Sequence, residues 1–217
     1  GKPLSVARTI DIPRAVSNFR FFAGAILHDT SEAYVDRPSV LNYTLRQPLG
    51  VVGCISPWNL PLYLFSWKIA PALASGNCVV GKPSEVTPLT AFLLSKICAD
   101  IGFPDGVLNI VHGAGPSAGA ALVAHPDVKA ISFTGGTATG KTIAKVASES
   151  LKKVSLELGG KNPTIIFDDA DLEAASNAAI EAAFSNQGQI CLCGSRILIQ
   201  ESVFERVKAK LVNGAQA

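Results

Sequence analysis

The sequence predicts an α/β fold, a parallel sheet covered by helices on both faces. Two observations carry this. Short β-branched runs without polar alternation recur along the 217 residues, as strands buried on both faces require. Stretches of helical period separate most of them, which is the order of a parallel sheet with crossover helices.

Taken in order, Asp11-Ile12-Pro13-Arg14 opens a helix with Phe19, Phe22 and Ile26 on one face. A strand is expected at Val51–Ile55. Leu60, Tyr63, Leu64 and Trp67 then share a helical face. After a strand at Asn77–Val80, Thr87 and Pro88 read as N-cap and first position of a helix. In it Leu89, Leu93 and Ile97 align, Phe92 fills the same face, and Gly102 ends it. Further strands are expected at Val107–Val111, Lys129–Phe133, Val154–Leu158, Thr164–Phe167 and Arg196–Gln200. Asp171 caps a helix running from Leu172 to about Asn186. No internal repeat or long linker interrupts the alternation.

Composition excludes several classes. Hydrophobic residues make up 48% and charged residues 17%, with mean hydropathy +0.31, so the chain is not disordered. Net charge is +2 with no basic run, which argues against a nucleic-acid partner. The stretch Leu60–Ala74 is broken by Pro61, Lys68 and Pro71, so no membrane span is expected. Gly1-Lys2-Pro3-Leu4 lacks the apolar core of a signal peptide. The cysteines, Cys54, Cys78, Cys98, Cys191 and Cys193, are odd in number and suit reduced thiols in a cytoplasmic compartment. Cys191 and Cys193 have no second Cys/His pair, so no metal site is expected. Met is absent, and the chain is expected to be a fragment.

Three motifs compete. Gly135-Gly136-Thr137-Ala138-Thr139-Gly140-Lys141-Thr142 fits the phosphate-cradling G-x-x-x-x-G-K-[ST] loop of an NTPase. It equally fits a Gly-rich turn before a helix whose N–H groups hold a pyrophosphate without the lysine. Gly115-Pro116-Ser117-Ala118-Gly119 fits a hydrolase nucleophile elbow, but no acid lies between it and the later His125, so the triad order fails. The third set is Asn59, Glu157 and Cys191. Cys191 lies on a loop after the Asp171 helix, where a thiolate nucleophile is accessible. Glu157 ends a strand before two glycines, and the Asn59 amide follows another strand end, where it can donate to an oxyanion. Singly, each reads equally as a buried thiol, a surface carboxylate and a turn asparagine.

These residues, in this order, resemble the aldehyde dehydrogenase superfamily. Leu156-Glu157-Leu158-Gly159-Gly160-Lys161-Asn162-Pro163 is similar to its glutamate signature, and Phe184 to Ser195, containing Gly188-Gln189-Ile190-Cys191, to its cysteine signature. Pro57-Trp58-Asn59, Lys82-Pro83-Ser84-Glu85 and Phe133-Thr134-Gly135 also match, so the resemblance covers essentially the whole chain. It implies a Rossmann-like NAD-binding domain over 1–158 and the beginning of a catalytic domain over 159–217. Family members are about twice this long, so the 217 residues alone are expected to be weakly active or inactive. A non-catalytic, crystallin-like descendant is a further alternative.

The resemblance further implies that Cys191 is the nucleophile, Glu157 the general base, and Asn59 with the Cys191 N–H the oxyanion hole. Lys82 and Glu85 would hold the adenosine ribose, with Glu85 favouring NAD over NADP. Ile55, Ser56, Pro57, Trp58 and Ser84 would join them. Gly115, Pro116 and Gly119 would lie by the adenine. Phe133, Thr134, Gly135, Gly136 and Gly140 would lie by the pyrophosphate and nicotinamide, and Leu158 and Gly159 complete the cofactor set. Gly81 and Gly136 depart from the family's usual residues. Asp11-Ile12-Pro13-Arg14, Asn42-Tyr43 and Ile190-Cys191-Leu192-Cys193 resemble the muconic-semialdehyde branch, in which Arg14 would grip a substrate carboxylate. The helical face of Leu60, Tyr63 and Trp67 reads either as lining of the substrate tunnel or as core packing. The resemblance implies a small-molecule aldehyde as substrate and a homodimer or homotetramer at full length.

Overall fold

A computed structural model of the chain describes residues 2–216. It divides into two compact units, Ala7–Glu157 and the residues from Leu158 on, the latter taking in the residues before Ala7.

A single turn, α1 (Leu4–Val6), and a π-type turn lead into α2 (Ile12–Ala25). Pro13 presets the helical φ in the first turn of α2. A two-stranded antiparallel ribbon follows, β1 (Ala33–Arg37) with β2 (Val40–Tyr43). Sequence patterning missed this ribbon because nearly all its side chains are exposed, so no buried face imprints a period of two.

The larger unit is built on a five-stranded sheet. Its strands are β3 (Val51–Ile55), β4 (Cys78–Lys82), β5 (Leu108–Ile110), β6 (Val128–Gly135) and β7 (Lys153–Leu158), in the order β5-β4-β3-β6-β7. β3 pairs parallel with both β4 and β6, and β4 with β5. The connecting helices are α3 (Pro61–Ala74), α4 (Leu89–Asp100), α5 (Ala120–Ala124) and α6 (Thr137–Ser148). Alternation along β3 assigns its faces. Val52 and Cys54 join Phe65 and Ile69 of α3 and Ala91 of α4 in the core. Gly53 faces the opposite way, where a Cβ would meet Ile131 at 2.7 Å and Leu122 of α5 at 3.2 Å. Both faces of the sheet are therefore covered.

Gly81, expected from the resemblance to depart from the family pattern, has a local cause. A Cβ there would lie 2.5 Å from the Phe65 ring. Phe65 is fully buried, so its ring takes the volume that a larger residue 81 would fill. The α4 cap falls one residue later than expected. Pro88 is the N-cap, and the Thr87 hydroxyl instead donates to the Trp58 carbonyl at 3.4 Å.

In the smaller unit β8 (Pro163–Ile166) pairs parallel with β9 (Arg196–Ile199). α7 (Leu172–Phe184) and α8 (Phe204–Gln216) bury Leu172, Ala179 and Val207 against Ile166. Asp171 caps α7 as expected, accepting from Glu173 N at 3.0 Å and Ala174 N at 3.1 Å. α7 ends at Phe184, near the expected end at about Asn186, because Ser185 turns extended (ψ 138°); Asn186, Gln187 and Gly188 then follow left-handed (φ 49°, 60° and 70°).

Candidate active site

In a parallel sheet the strand-to-helix turns gather at one edge, where ligands bind. Strand register places Ile55, Lys82 and Phe133 side by side at that edge. There a cavity of about 860 Å³ opens, entirely within the larger unit. Its walls include Ile55, Ser56, Pro57 and Trp58 after β3, and Lys82, Ser84 and Glu85 after β4. Gly115, Pro116 and Gly119 come from the turn before α5, and Phe133, Thr134, Gly135 and Gly136 from the end of β6. The sequence-derived set thus converges on one cavity with three exceptions. Gly140 is buried in the second turn of α6 rather than on the cavity wall, and Leu158 and Gly159 belong to the smaller unit.

The cavity's chemistry suits a dinucleotide. Lys82 is 2% exposed, and its Nζ donates to the Pro83 carbonyl at 3.1 Å and Glu85 Oε2 at 3.0 Å. Glu85 Oε1 accepts from the Gly115 N–H at 3.4 Å. Hydrogen bonds from its own backbone and from Lys82 hold the Glu85 carboxyl below the usual range, so it stays ionised to accept from a diol. Gly136 is the N-cap of α6 and brings no side chain to cap the first turn, and a Cβ there would meet open space. The uncapped N–H groups of a twelve-residue helix favour phosphate charge. The apolar wall that completes the cavity, Val123 on α5 and Ile143 and Val146 on α6, was missed from the sequence. The helical spacing of Ala138, Thr142 and Val146 was the signal available for it.

The proposed chemical groups are divided between the units. Asn59 is half-buried between β3 and α3, and Glu157 is exposed near the end of β7, both in the larger unit. Cys191 is exposed on a turn of the smaller unit, whereas Cys193 is buried. Arg14 on α2 donates from Nη2 to the Tyr63 hydroxyl at 3.2 Å, and its guanidinium lies 5.2 Å from the Tyr63 ring centroid. Tyr63 and Trp67 meet edge to face at 6.0 Å. Arg14, Tyr63 and Trp67 therefore form one group. Leu60 does not lie open beside them; at 6% exposure it packs in the core, the other reading its helical face allowed. Asp11, which sequence reasoning passed over as a charge near a helix start, is buried and accepts from the Tyr63 N–H at 3.0 Å. That bond pins the first turn of α3 to the start of α2.

Lys68 on α3 is buried and donates to Ser132 Oγ at 3.3 Å. Burial lowers its pKa to about 8, partly offset by Cys54 and Glu157. Burial pushes the Cys54 thiol up to about 12. A lysine whose folded pKa is depressed costs stability most below that pKa, and the cost fades as pH rises toward its unfolded value. Cys54 opposes this from about pH 9, where the unfolded thiol ionises and the buried one does not. The clean window is therefore pH 8–9. Lys68→Met should raise the stability at pH 7, by about 3 kcal/mol at most, and the advantage should shrink from pH 8 to 9. Thermal melts across that window check this, and a constant advantage contradicts it.

The competing motifs are put to other uses. α6 begins at Thr137, directly after Gly136, so Gly140-Lys141-Thr142 lie inside a helix and form no phosphate loop. The Thr142 hydroxyl donates back to the Ala138 carbonyl at 3.2 Å. Ser117 Oγ donates to the Ala114 carbonyl at 3.3 Å within its own turn. Among the described residues no cluster of three metal-ligating side chains occurs, and no helix is long and apolar enough to cross a membrane.

Comparison with known proteins agrees with this geometry. The chain belongs to the aldehyde dehydrogenase family, whose model matches residues 1–217. It is 54% identical over 217 residues to 2-aminomuconic semialdehyde dehydrogenase of Danio rerio, covering 100% of this chain and 45% of that protein. It is 49% identical to 2-hydroxymuconic semialdehyde dehydrogenase of Pseudomonas sp. strain CF600, covering 100% and 46%. The NAD+ complex of a Bacillus cereus aldehyde dehydrogenase superposes with a TM-score of 0.97 at 46% identity, covering 100% and 44%. The chain thus spans less than half the length of these relatives.

Proposed function

We propose that the protein oxidises an aldehyde to the carboxylic acid with NAD, the substrate being a carboxylate-bearing semialdehyde of the muconic class. The observation that carries this is the cavity at the sheet edge, lined by Lys82, Glu85 and the uncapped start of α6. Whole-chain similarity to enzymes named for muconic semialdehydes supports the substrate class.

In this reading the Cys191 thiolate attacks the aldehyde carbon to form a thiohemiacetal. Asn59 and the Cys191 N–H donate to the oxyanion. NAD, when bound in the cavity, would supply the acceptor for the hydride that leaves this adduct. Glu157 then takes a proton from water, which attacks the thioester and frees the acid. Lys82 and Glu85 would hold the ribose hydroxyls of NAD, and the α6 N–H groups would meet its phosphate charge. Arg14 holds the remote carboxylate, its planar fork oriented by Tyr63. The working enzyme is a cytoplasmic homodimer or homotetramer.

A substrate panel tests this. Arg14→Ala should lower kcat/KM for a muconic semialdehyde about 30-fold or more, the loss of a charge-assisted contact worth about 2 kcal/mol. For an uncharged aliphatic aldehyde the value should change less than about three-fold. Equal losses on both substrates would contradict the carboxylate grip.

A further inference from the structure

We infer that Asn162 is a positioning residue for the nucleophile, its side-chain amide clamping the turn that carries Cys191; this rests on the reading of Cys191 given above. Asn162 Nδ2 donates to the Cys191 carbonyl at 2.6 Å and to the Cys193 carbonyl at 3.3 Å. One amide group therefore grips two alternate carbonyls of a single short turn. Asn162 is itself anchored, because its carbonyl accepts from the Arg196 N–H at 3.3 Å and Arg196 Nε donates to the neighbouring Lys161 carbonyl at 3.0 Å.

The turn is closed by the Cys193 N–H donating to the Ile190 carbonyl at 3.1 Å, so Cys191 and Leu192 occupy its two central positions. The closing bond of such a turn does not use the N–H of its first central residue. An oxyanion donor on the same residue as the sulfur needs that N–H uncommitted to the turn. The turn ends firmly, with Cys193 buried and the Gly194 N–H donating to the Ala182 carbonyl at 3.0 Å.

Its entry is the weak side. Asn186, Gln187 and Gly188 are successive left-handed residues, and only the last is glycine. Left-handed backbone is disfavoured for Gln187, whereas asparagine tolerates it, so the strain at the entry sits on Gln187. The Asn162 clamp acts on the Cys191 carbonyl directly, downstream of that strain. Removing it frees the carbonyl to swing, and the sulfur and N–H directions of Cys191 swing together. A displacement of about 1 Å from attack geometry costs about 100-fold in rate.

The test uses the full-length protein with Asn162→Ala and with Asn162→Asp, which keeps the size but replaces the donor by a carboxylate. NAD affinity should stay within about two-fold of wild type, since the cavity lies in the other unit. The single-turnover burst of NADH from a muconic semialdehyde should slow about 100-fold, with kcat falling far more than KM rises. Alkylation of Cys191 by iodoacetamide should persist within about three-fold, because the thiol remains exposed. A wild-type burst rate in both variants overturns the clamp. So does a general loss of NAD binding with a collapsed melting temperature in both, which marks a merely structural role. Cys191→Ala separates the two readings: a surviving burst there refutes the nucleophile itself, whereas its loss beside intact Asn162 variants refutes only the clamp.

Discussion

Cys191→Ala should lower NADH formation by at least about 10⁴-fold, because the covalent route disappears with the sulfur. The variant should still fold and bind dinucleotide. Cys191 is exposed, so its removal leaves no cavity in the core, and the cofactor cavity draws all its lining from the larger unit. Cys193→Ala is the matched control. Cys193 is buried, with its thiol 3.8 Å from the Ser185 carbonyl, so its loss should reduce stability modestly and leave turnover within about three-fold. Steady-state rates, dinucleotide titration and thermal melts on both variants check the contrast. Activity of Cys191→Ala within ten-fold of wild type would contradict it.

Asn59→Ala should lower kcat by about 10²–10³-fold, about 3–4 kcal/mol, the usual worth of one oxyanion donor. Its effect on KM should be small, because the interaction strengthens only as the carbonyl oxygen gains charge. Asn59 sits where the chain leaves β3 for α3, directly after the cavity residues Pro57 and Trp58. The α3 start is held independently by Asp11 on the Tyr63 N–H, so the backbone should survive the truncation. Pre-steady-state NADH bursts measure this: a slow burst of full amplitude is expected. A loss confined to KM would contradict the oxyanion role.

Much of the cofactor cavity was legible in the sequence, for a topological reason. Every strand-to-helix turn of a parallel sheet ends at the same edge, so Trp58, Lys82, Gly115 and Phe133 converge although they are far apart in the chain. The alternation of strand and helix runs identified those turns without any knowledge of strand order, and the family resemblance assigned them to the cofactor. What escaped notice depended on contacts without a local period. The exposed β1–β2 ribbon buries no face that could pattern it. The burial of Asp11 depends on α2 and α3 packing together, which neither helix announces alone. The pairing of Gly81 with the Phe65 ring joins a strand to the helix before it. The left-handed run at Asn186 and Gln187 after the extended Ser185 has no local period either, these types seldom being found in succession there. The Asn162 clamp was missed for the same reason: its partners are carbonyls, and every residue has one.

The most direct measurement of the account is a trapping experiment on Glu157→Gln. With the proposed water-activating carboxylate gone, one equivalent of NADH should form in a burst and turnover should stall at the thioester. Mass spectrometry of the quenched full-length protein should then find the acyl group of a muconic semialdehyde on the peptide carrying Cys191, in the same stoichiometry as the burst. A burst with no adduct, or an adduct on any other residue, would contradict Cys191 as the nucleophile.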